Sequence, residues 1–217
     1  MLPNQRLKLS GRGGPLGREG VRLVCDRRRP QLKRNPLGGY VSTVPMKRIL
    51  VIGPGGSGKT TVARRLAECT GLPLVHLDAL YWRAGWQPTP AEEWRVVVRQ
   101  LVTADEWIID GNYGGTLDLR LEACDTVVFL DLPRVVCLWR VLGRQVRYIG
   151  QVRPELSAGC PERLSWEFLV WIWTYPTRRR GDILRRLSAL DSRKRVAILR
   201  SSSAIEEFVA SVPSTAA

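Results

Sequence analysis

The chain is poor in the residues that build metal centres and cross-links. Its 217 residues hold one histidine, His76, and five cysteines, Cys25, Cys69, Cys124, Cys137 and Cys160. The cysteines are odd in number, far apart and without a C-x-x-C pair, so neither a disulfide framework nor a zinc site is expected. Reduced thiols in a cytoplasmic protein fit that pattern. No apolar run approaches the length of a bilayer span and no apolar h-region follows the first methionine, so a soluble protein without a membrane partner is expected. Acids are scarce too: 20 stand against 34 lysines and arginines, a formal net charge of +14.

Such a charge suggests nucleic acid, but it is unevenly spread. Residues 1–45 carry ten basic and two acidic residues, which leaves +6 for the rest of the chain. A cleft that holds phosphorylated ligands accounts for +6 without DNA. The first 45 residues are rich in Gly, Pro and Arg, follow no period of 2 or 3.6 and hold few large apolar residues, so disorder is expected there. A basic tail, an Arg-rich targeting peptide and an upstream extension with a mis-set start compete for this segment. Met46-Lys47-Arg48, directly before the first apolar strand, favours the last and makes residues 46–217 the folded domain.

What is present begins with Ile49-Leu50-Val51-Ile52, which runs into Gly53-Pro54-Gly55-Gly56-Ser57-Gly58-Lys59-Thr60-Thr61. Gly53, Gly58, Lys59 and Thr60 satisfy G-x-x-x-x-G-K-[ST] in full. Glycines let the main chain fold around a phosphate with its N–H groups pointing inward. Lys59 supplies a point charge for the β- and γ-phosphates, and Thr60 offers a hydroxyl to Mg²⁺ in the first turn of the following helix. Val62, Ala63, Leu66 and Ala67, then Gly71 as a stop, give that helix its pattern.

Downstream, strands are expected over 74–78, 107–110, 126–131 and 196–199. Helices are expected after the Thr89-to-Glu92 capping box, over about 133–149 with Val135, Leu138, Trp139 and Leu142 inward, over about 161–175 with a stop at Pro176, from Arg178 onward, and after a Ser203-to-Glu206 capping box. Strands alternating with helices give an α/β fold with a parallel sheet covered on both faces. Ligand then sits beyond the carboxyl ends of the strands. Asp78, Asp110 and Asp131 stand at three of those ends. With the third strand beside the phosphate-loop strand, Asp110 becomes the magnesium-side acid and Asp78 faces the acceptor; Asp131 has a weaker claim and a competing role as a turn or cap residue.

The phosphate loop, Ile108-Ile109-Asp110-Gly111, and Asp131-Leu132-Pro133 followed by Arg140-Val141-Leu142-Gly143-Arg144 resemble the adenylate-kinase group of P-loop kinases. More closely, His76-Leu77-Asp78-Ala79-Leu80-Tyr81-Trp82, Trp86-Gln87-Pro88-Thr89-Pro90, Asp110-Gly111-Asn112-Tyr113 and Trp166-Glu167-Phe168 look like the bacterial DNA topology modulation proteins. The resemblance runs from about residue 46 to the end. It implies a three-layer P-loop NTPase fold, strand order 2-3-1-4-5, ATP with Mg²⁺, and Arg140 and Arg144 on the donor side at the base of a helical lid over about 140–180. One departure matters: Gly111-Asn112-Tyr113 replaces the proline and arginine that hold the acceptor phosphate in nucleoside-monophosphate kinases, so AMP is not the expected acceptor. Arg83 and Arg120 are candidates to hold an acceptor phosphate or carboxylate instead.

Arg140, Arg144 and Arg147 align on one helix side, and with Arg153 and Arg163 they read as lid charge over the transferring phosphoryl. The eight tryptophans read as core and interface more than as base-stacking platforms, with Trp82, Trp86 and Tyr113 beside the acceptor; His76 reads as a structural residue in a buried strand. The leading expectation is an ATP- and Mg²⁺-dependent phosphotransferase with a small-molecule acceptor, a nucleoside or nucleotide among the candidates. A nucleic-acid-associated ATP-binding regulator affecting DNA topology is the alternative, and plain ATP hydrolysis the third.

Overall fold

In β1 (Arg48–Ile52) successive apolar side chains go to opposite faces, as the two-residue period of a strand requires. Ile49 and Val51 enter one buried cluster, Leu50 and Ile52 the other. The same split recurs in β3 (Trp107–Asp110), β4 (Thr126–Leu130) and β5 (Arg195–Leu199), so the sheet is buried on both sides. Each fully buried aliphatic side chain contributes about 1.5–3 kcal/mol.

The computed structural model describes residues 46–148, 159–161 and 165–213, together with three two-residue strands at Arg22–Leu23, Lys33–Arg34 and Tyr40–Val41. Apart from those strands, the expectation of disorder over 1–45 lies outside the described residues, as do Arg153 and Arg163. With β2 (Leu74–His76), the five parallel strands stand in the order 2-3-1-4-5. The sheet has a sixth member that the sequence reading did not include: Arg22–Leu23 pairs antiparallel to the outer edge of β5.

α1 (Lys59–Thr70), α5 (Arg134–Arg147), α6 (Trp166–Tyr175) and α8 (Ser202–Ala210) contribute to the cluster on one face. α2 (Leu77–Tyr81), α3 (Ala91–Leu101), α4 (Leu117–Ala123) and α7 (Gly181–Ser188) contribute to the other. α1 ends where expected, at Gly71, whose φ of 71° is the left-handed conformation that closes a helix.

Several boundaries differ from expectation. β2 stops at His76, level with Asp110, because its neighbour β3 ends there; Asp78 therefore falls in the first turn of α2. Thr89 does not cap α3: its hydroxyl donates to the Tyr81 carbonyl at 2.7 Å, and Pro90 precedes the helix. α8 is capped two residues early, by Ser201, whose Oγ accepts from the Ala204 N–H at 3.1 Å. α6 ends at Tyr175, before Pro176, as expected, but Pro176 does not break the helical path. It opens a π turn, Pro176–Arg180, which carries the chain into α7, since a proline in a first turn needs no N–H donor.

α5 also turns a different face inward. Cys137 and Val141 are buried, whereas Val135, Trp139 and Leu142 are exposed. The decision is made by the phosphate loop, against which α5 packs so closely that a Cβ on Gly56 would stand 2.2 Å from the Cys137 carbonyl oxygen. Periodicity favours the side of Val135, Leu138, Trp139 and Leu142, opposite Arg140, Arg144 and Arg147, but packing on the loop buries Cys137 and Val141 instead. Trp94 and Trp107 are core residues as expected, while Trp139, Trp166 and Trp173 are exposed. No helix among the described residues is long and apolar enough to cross a membrane.

Candidate active site

Between β1 and α1 the main chain takes a path that side chains would block. Gly56 and Gly58 have φ of 77° and 92°, and Gly58 caps the start of α1. A Cβ on Gly53 would lie 2.6 Å from the Leu130 carbonyl oxygen, and one on Gly55 would lie 2.5 Å from the Phe168 ring. Ser57 is fully buried, and its Oγ has no hydrogen-bond partner. Lys59 folds back to donate to the Pro54 carbonyl at 3.2 Å, so its ammonium group stays at the loop. Thr61 is exposed on α1.

Asp110 arrives from the end of β3, paired in register with Val51 of β1. Its Oδ2 accepts from the Thr60 hydroxyl at 2.8 Å and lies 3.2 Å from His76 Nδ1. Its Oδ1 is buried without a partner. An orphaned buried carboxylate oxygen is costly unless a ligand completes it. Thr60 and Asp110 thus present hard oxygen ligands, the donor type a Mg²⁺ ion takes, beside Lys59 at a helix start.

The turn after Asp110 is fixed from two sides. Asn112 clasps the phosphate loop reciprocally, accepting from the Gly53 N–H at 2.9 Å and donating to the Gly53 carbonyl at 2.5 Å. Arg120, with no exposed surface, donates to the carbonyls of Gly111, Asn112 and Tyr113 at 2.6, 2.6 and 2.8 Å. Burial pushes its guanidinium down to about 10, which leaves it charged at neutral pH. This overturns the expectation that Arg120 holds an acceptor anion: its donors are spent on main chain. Arg83, the other candidate, pairs with Glu93.

Tyr113 is held at φ 28°, a conformation unusual for a residue with a side chain. Its hydroxyl donates to Asp78 Oδ1 at 2.5 Å, and its ring packs against Tyr81 and Trp94. Burial first, then the Asp78 charge, raises the pKa of its phenol, so it remains a donor. Arg140, expected on the donor side, spans the Ser57 carbonyl and the Ser202 hydroxyl, both at 3.1 Å. Arg144 follows one turn later, half-buried, and Arg147 is exposed. Asp131 is not at the phosphates: Arg180 grips both its oxygens at 2.7 and 2.8 Å, and Arg200 adds a third bond.

A glycine loop between the central strand and α1, an acid from the adjacent strand, and strand order 2-3-1-4-5 decide the architecture. This is a P-loop NTPase fold of three α/β/α layers. The chain matches no protein-family model. It is 36% identical over 87 residues to the ATP-dependent protease ATPase subunit HslU of Bartonella bacilliformis, a match covering 39% of this chain and 19% of that protein. It is 43% identical over 54 residues to a tRNA dimethylallyltransferase of Jannaschia, covering 23% of this chain and 19% of that protein. The chain thus spans about a fifth of the length of the curated relatives it matches. Among solved structures, it is similar to shikimate kinase from Acinetobacter baumannii in complex with shikimate, at TM-score 0.47 and 20% identity, over 76% of this chain and 89% of that one. A gluconokinase from Sinorhizobium meliloti gives TM-score 0.43 and 19% identity over the same shares.

Of the residues expected at the site, the structure brings together Gly53, Gly55, Gly56, Ser57, Gly58, Lys59, Thr60, Asp110 and Arg140. Asp78 makes no hydrogen bond to the Thr60–Asp110 pair and is tied to the same turn through Tyr113. Sequence reasoning missed Asn112 as the clasp on Gly53. A polar residue after a glycine reads as ordinary turn chemistry, and only the partner 59 positions away reveals otherwise. His76 is a satisfied residue as expected, but what satisfies it is Asp110.

Proposed function

We propose that this chain is an ATP- and Mg²⁺-dependent phosphotransferase that passes the terminal phosphoryl group to a hydroxyl of a small acceptor. The observation that carries the reading is the 2.8 Å meeting of Thr60 and Asp110 at the start of α1, with Asp110 Oδ1 left over. Thr60 and Asp110 would hold Mg²⁺, which when bound neutralises phosphate charge. The loop N–H groups, Lys59 and the α1 start would hold the phosphates, and Arg140 braces that loop from the Ser57 carbonyl. Asp78, held by the Tyr113 hydroxyl, would accept the proton of the acceptor hydroxyl. Asn112 joins the two halves, so a shift of one is felt by the other.

The test is an acceptor screen with the purified chain, following the γ-phosphate by mass. Transfer to one acceptor class, lost in Lys59→Ala and Asp110→Asn, is expected. ATP consumption that never exceeds the acceptor-free rate overturns the reading. The finer alternative, an ATP-binding regulator on DNA, predicts duplex affinity that falls steeply with salt and responds to nucleotide.

A further inference from the structure

α6 presents a series of faces. Phe168 and Ile172 lie against Gly55 of the phosphate loop, and Trp171 stacks on Phe168 with centroids 5.9 Å apart and planes 10° from parallel. The next face, continued by the π turn, lines an open cavity of about 420 Å³ through Trp166, Glu167, Trp171, Tyr175, Arg178 and Arg179. That is the size of a small-ligand site. One aromatic layer separates it from the phosphate loop. Its other end reaches the acceptor-side turn, because a Cβ on Gly114 would lie 3.8 Å from the Arg179 guanidinium, and the residue before Gly114 is the tyrosine bonded to Asp78.

Two features of the lining point to a ligand. Arg178 and Arg179, exposed in the lining, have no carboxylate partner among the described residues, whereas the next residue, Arg180, grips Asp131. Tyr175 is 3% exposed, and its hydroxyl has no hydrogen-bond partner. Two free guanidinium groups against a single acid, Glu167, leave the cavity positive, and the indole of Trp171 gives it a flat apolar wall.

We propose that this cavity takes the phosphoryl acceptor, and that the acceptor is a hydroxylated molecule with a flat or apolar body and one anionic group, a carboxylate or a phosphate monoester. Arg178 and Arg179 hold the anion, Trp171 and Tyr175 the body, and the hydroxyl faces the Tyr113–Asp78 pair. The inference rests on the phosphotransferase reading and deepens it. In the step, the acceptor oxygen forms a bond to the γ-phosphorus of ATP and gives its proton to Asp78, while the bond from that phosphorus to the β,γ-bridging oxygen breaks and ADP leaves with the electron pair.

Tryptophan fluorescence of the full chain, titrated without nucleotide, tests the cavity with matched probes. 4-Hydroxybenzoate is compared with 4-hydroxybenzyl alcohol, and phenyl phosphate with phenol; the two arms separate carboxylate from phosphate. A wider set of hydroxylated acids, phosphate monoesters and their neutral counterparts extends the comparison. At least one anion is expected to bind about tenfold or more tightly than its neutral counterpart, with that margin lost in Arg178→Gln/Arg179→Gln and kept in Lys59→Ala. Equal binding of anions and neutral counterparts across the set, or an undiminished margin in the double variant, overturns the proposal. Anion-selective binding without any phosphoryl transfer sinks the phosphotransferase reading alone. Transfer to a neutral acceptor at an unchanged rate in the double variant sinks the anionic acceptor alone.

Discussion

The two sides of the cleft are built on different principles. On the donor side the cradle itself is largely main chain: three glycines whose Cβ positions are already occupied by neighbours, and carbonyl and amide groups clasped by Asn112 and Arg140, to which Lys59, Thr60 and Asp110 add their side chains. On the side proposed for the acceptor the walls are side chains on α6 and the π turn, with exposed arginines and tryptophans. A triphosphate is invariant, so a rigid cradle suits it, and preorganised donors cost no rearrangement when charge develops. An acceptor differs from one enzyme to another, and side chains can change without disturbing the backbone path.

If that contrast is right, single changes on the donor side have the larger consequences. Lys59→Ala should lower kcat/KM by about a thousandfold, at the upper end for loss of one charged donor, while leaving the melting temperature near the parent value. Steady-state kinetics with thermal melts check this; unchanged nucleotide affinity would break the comparison at its strongest point. Arg120→Met is next. It strands three carbonyls that now accept from a buried cation, and should cost about 3 kcal/mol, a fall of about 10 °C in Tm, by calorimetry.

Asn112→Ala removes both bonds to Gly53 and should cost about 1–2 kcal/mol, with a several-fold rise in KM for ATP and little change in acceptor KM. A rise in both constants would show that the clasp serves the two sides equally. Tyr113→Phe should act on the acceptor side, lowering kcat several-fold with ATP binding intact. It also has a pH signature. The native phenol has its pKa raised by burial and by Asp78, so it contributes stability that is fully present below the ordinary tyrosine value of about 10 and is lost as pH rises beyond it. Urea titrations of the parent should weaken more steeply above pH 10 than those of Tyr113→Phe.

The smallest effect is expected at Asp118, half-exposed and held below its ordinary value by its hydrogen bond to Arg95. A depressed carboxylate stabilises above its unfolded pKa of about 3.9 and loses that contribution as pH falls through the native value. Asp118→Asn should therefore be slightly destabilised at pH 7 and match the parent near pH 2, by thermal melts, with no change at either side of the cleft.

The phosphate loop, its helix, the strand that ends in Asp110 and the strand order expected from the family resemblance all appear in the structure as they were anticipated from the chain. The loop, the helix and the strand rest on residues adjacent in sequence, where period, glycine and capping chemistry act locally; the strand order came only with the resemblance. The anticipated face of α5 failed because the loop it packs on takes Cys137 and Val141, against the helix's own apolar periodicity. The anticipated part for Arg120 failed because an arginine's partners cannot be read from its neighbours. Pro176 closes α6 as anticipated, but the π turn that it opens keeps the path helical into α7.

The amino-acid sequence by itself determined that a phosphate cradle follows the first strand of a parallel sheet, since a glycine pattern and a two-residue alternation dictate backbone conformation wherever they occur. Only the tertiary structure decided which charges reach the cleft and which are consumed in holding it together. Asp131 went to Arg180, 49 residues away, and Arg120 to the turn it supports, up to 9 residues away. A charged side chain takes the role its partners allow, and those partners are chosen by the packing of elements far apart in the chain.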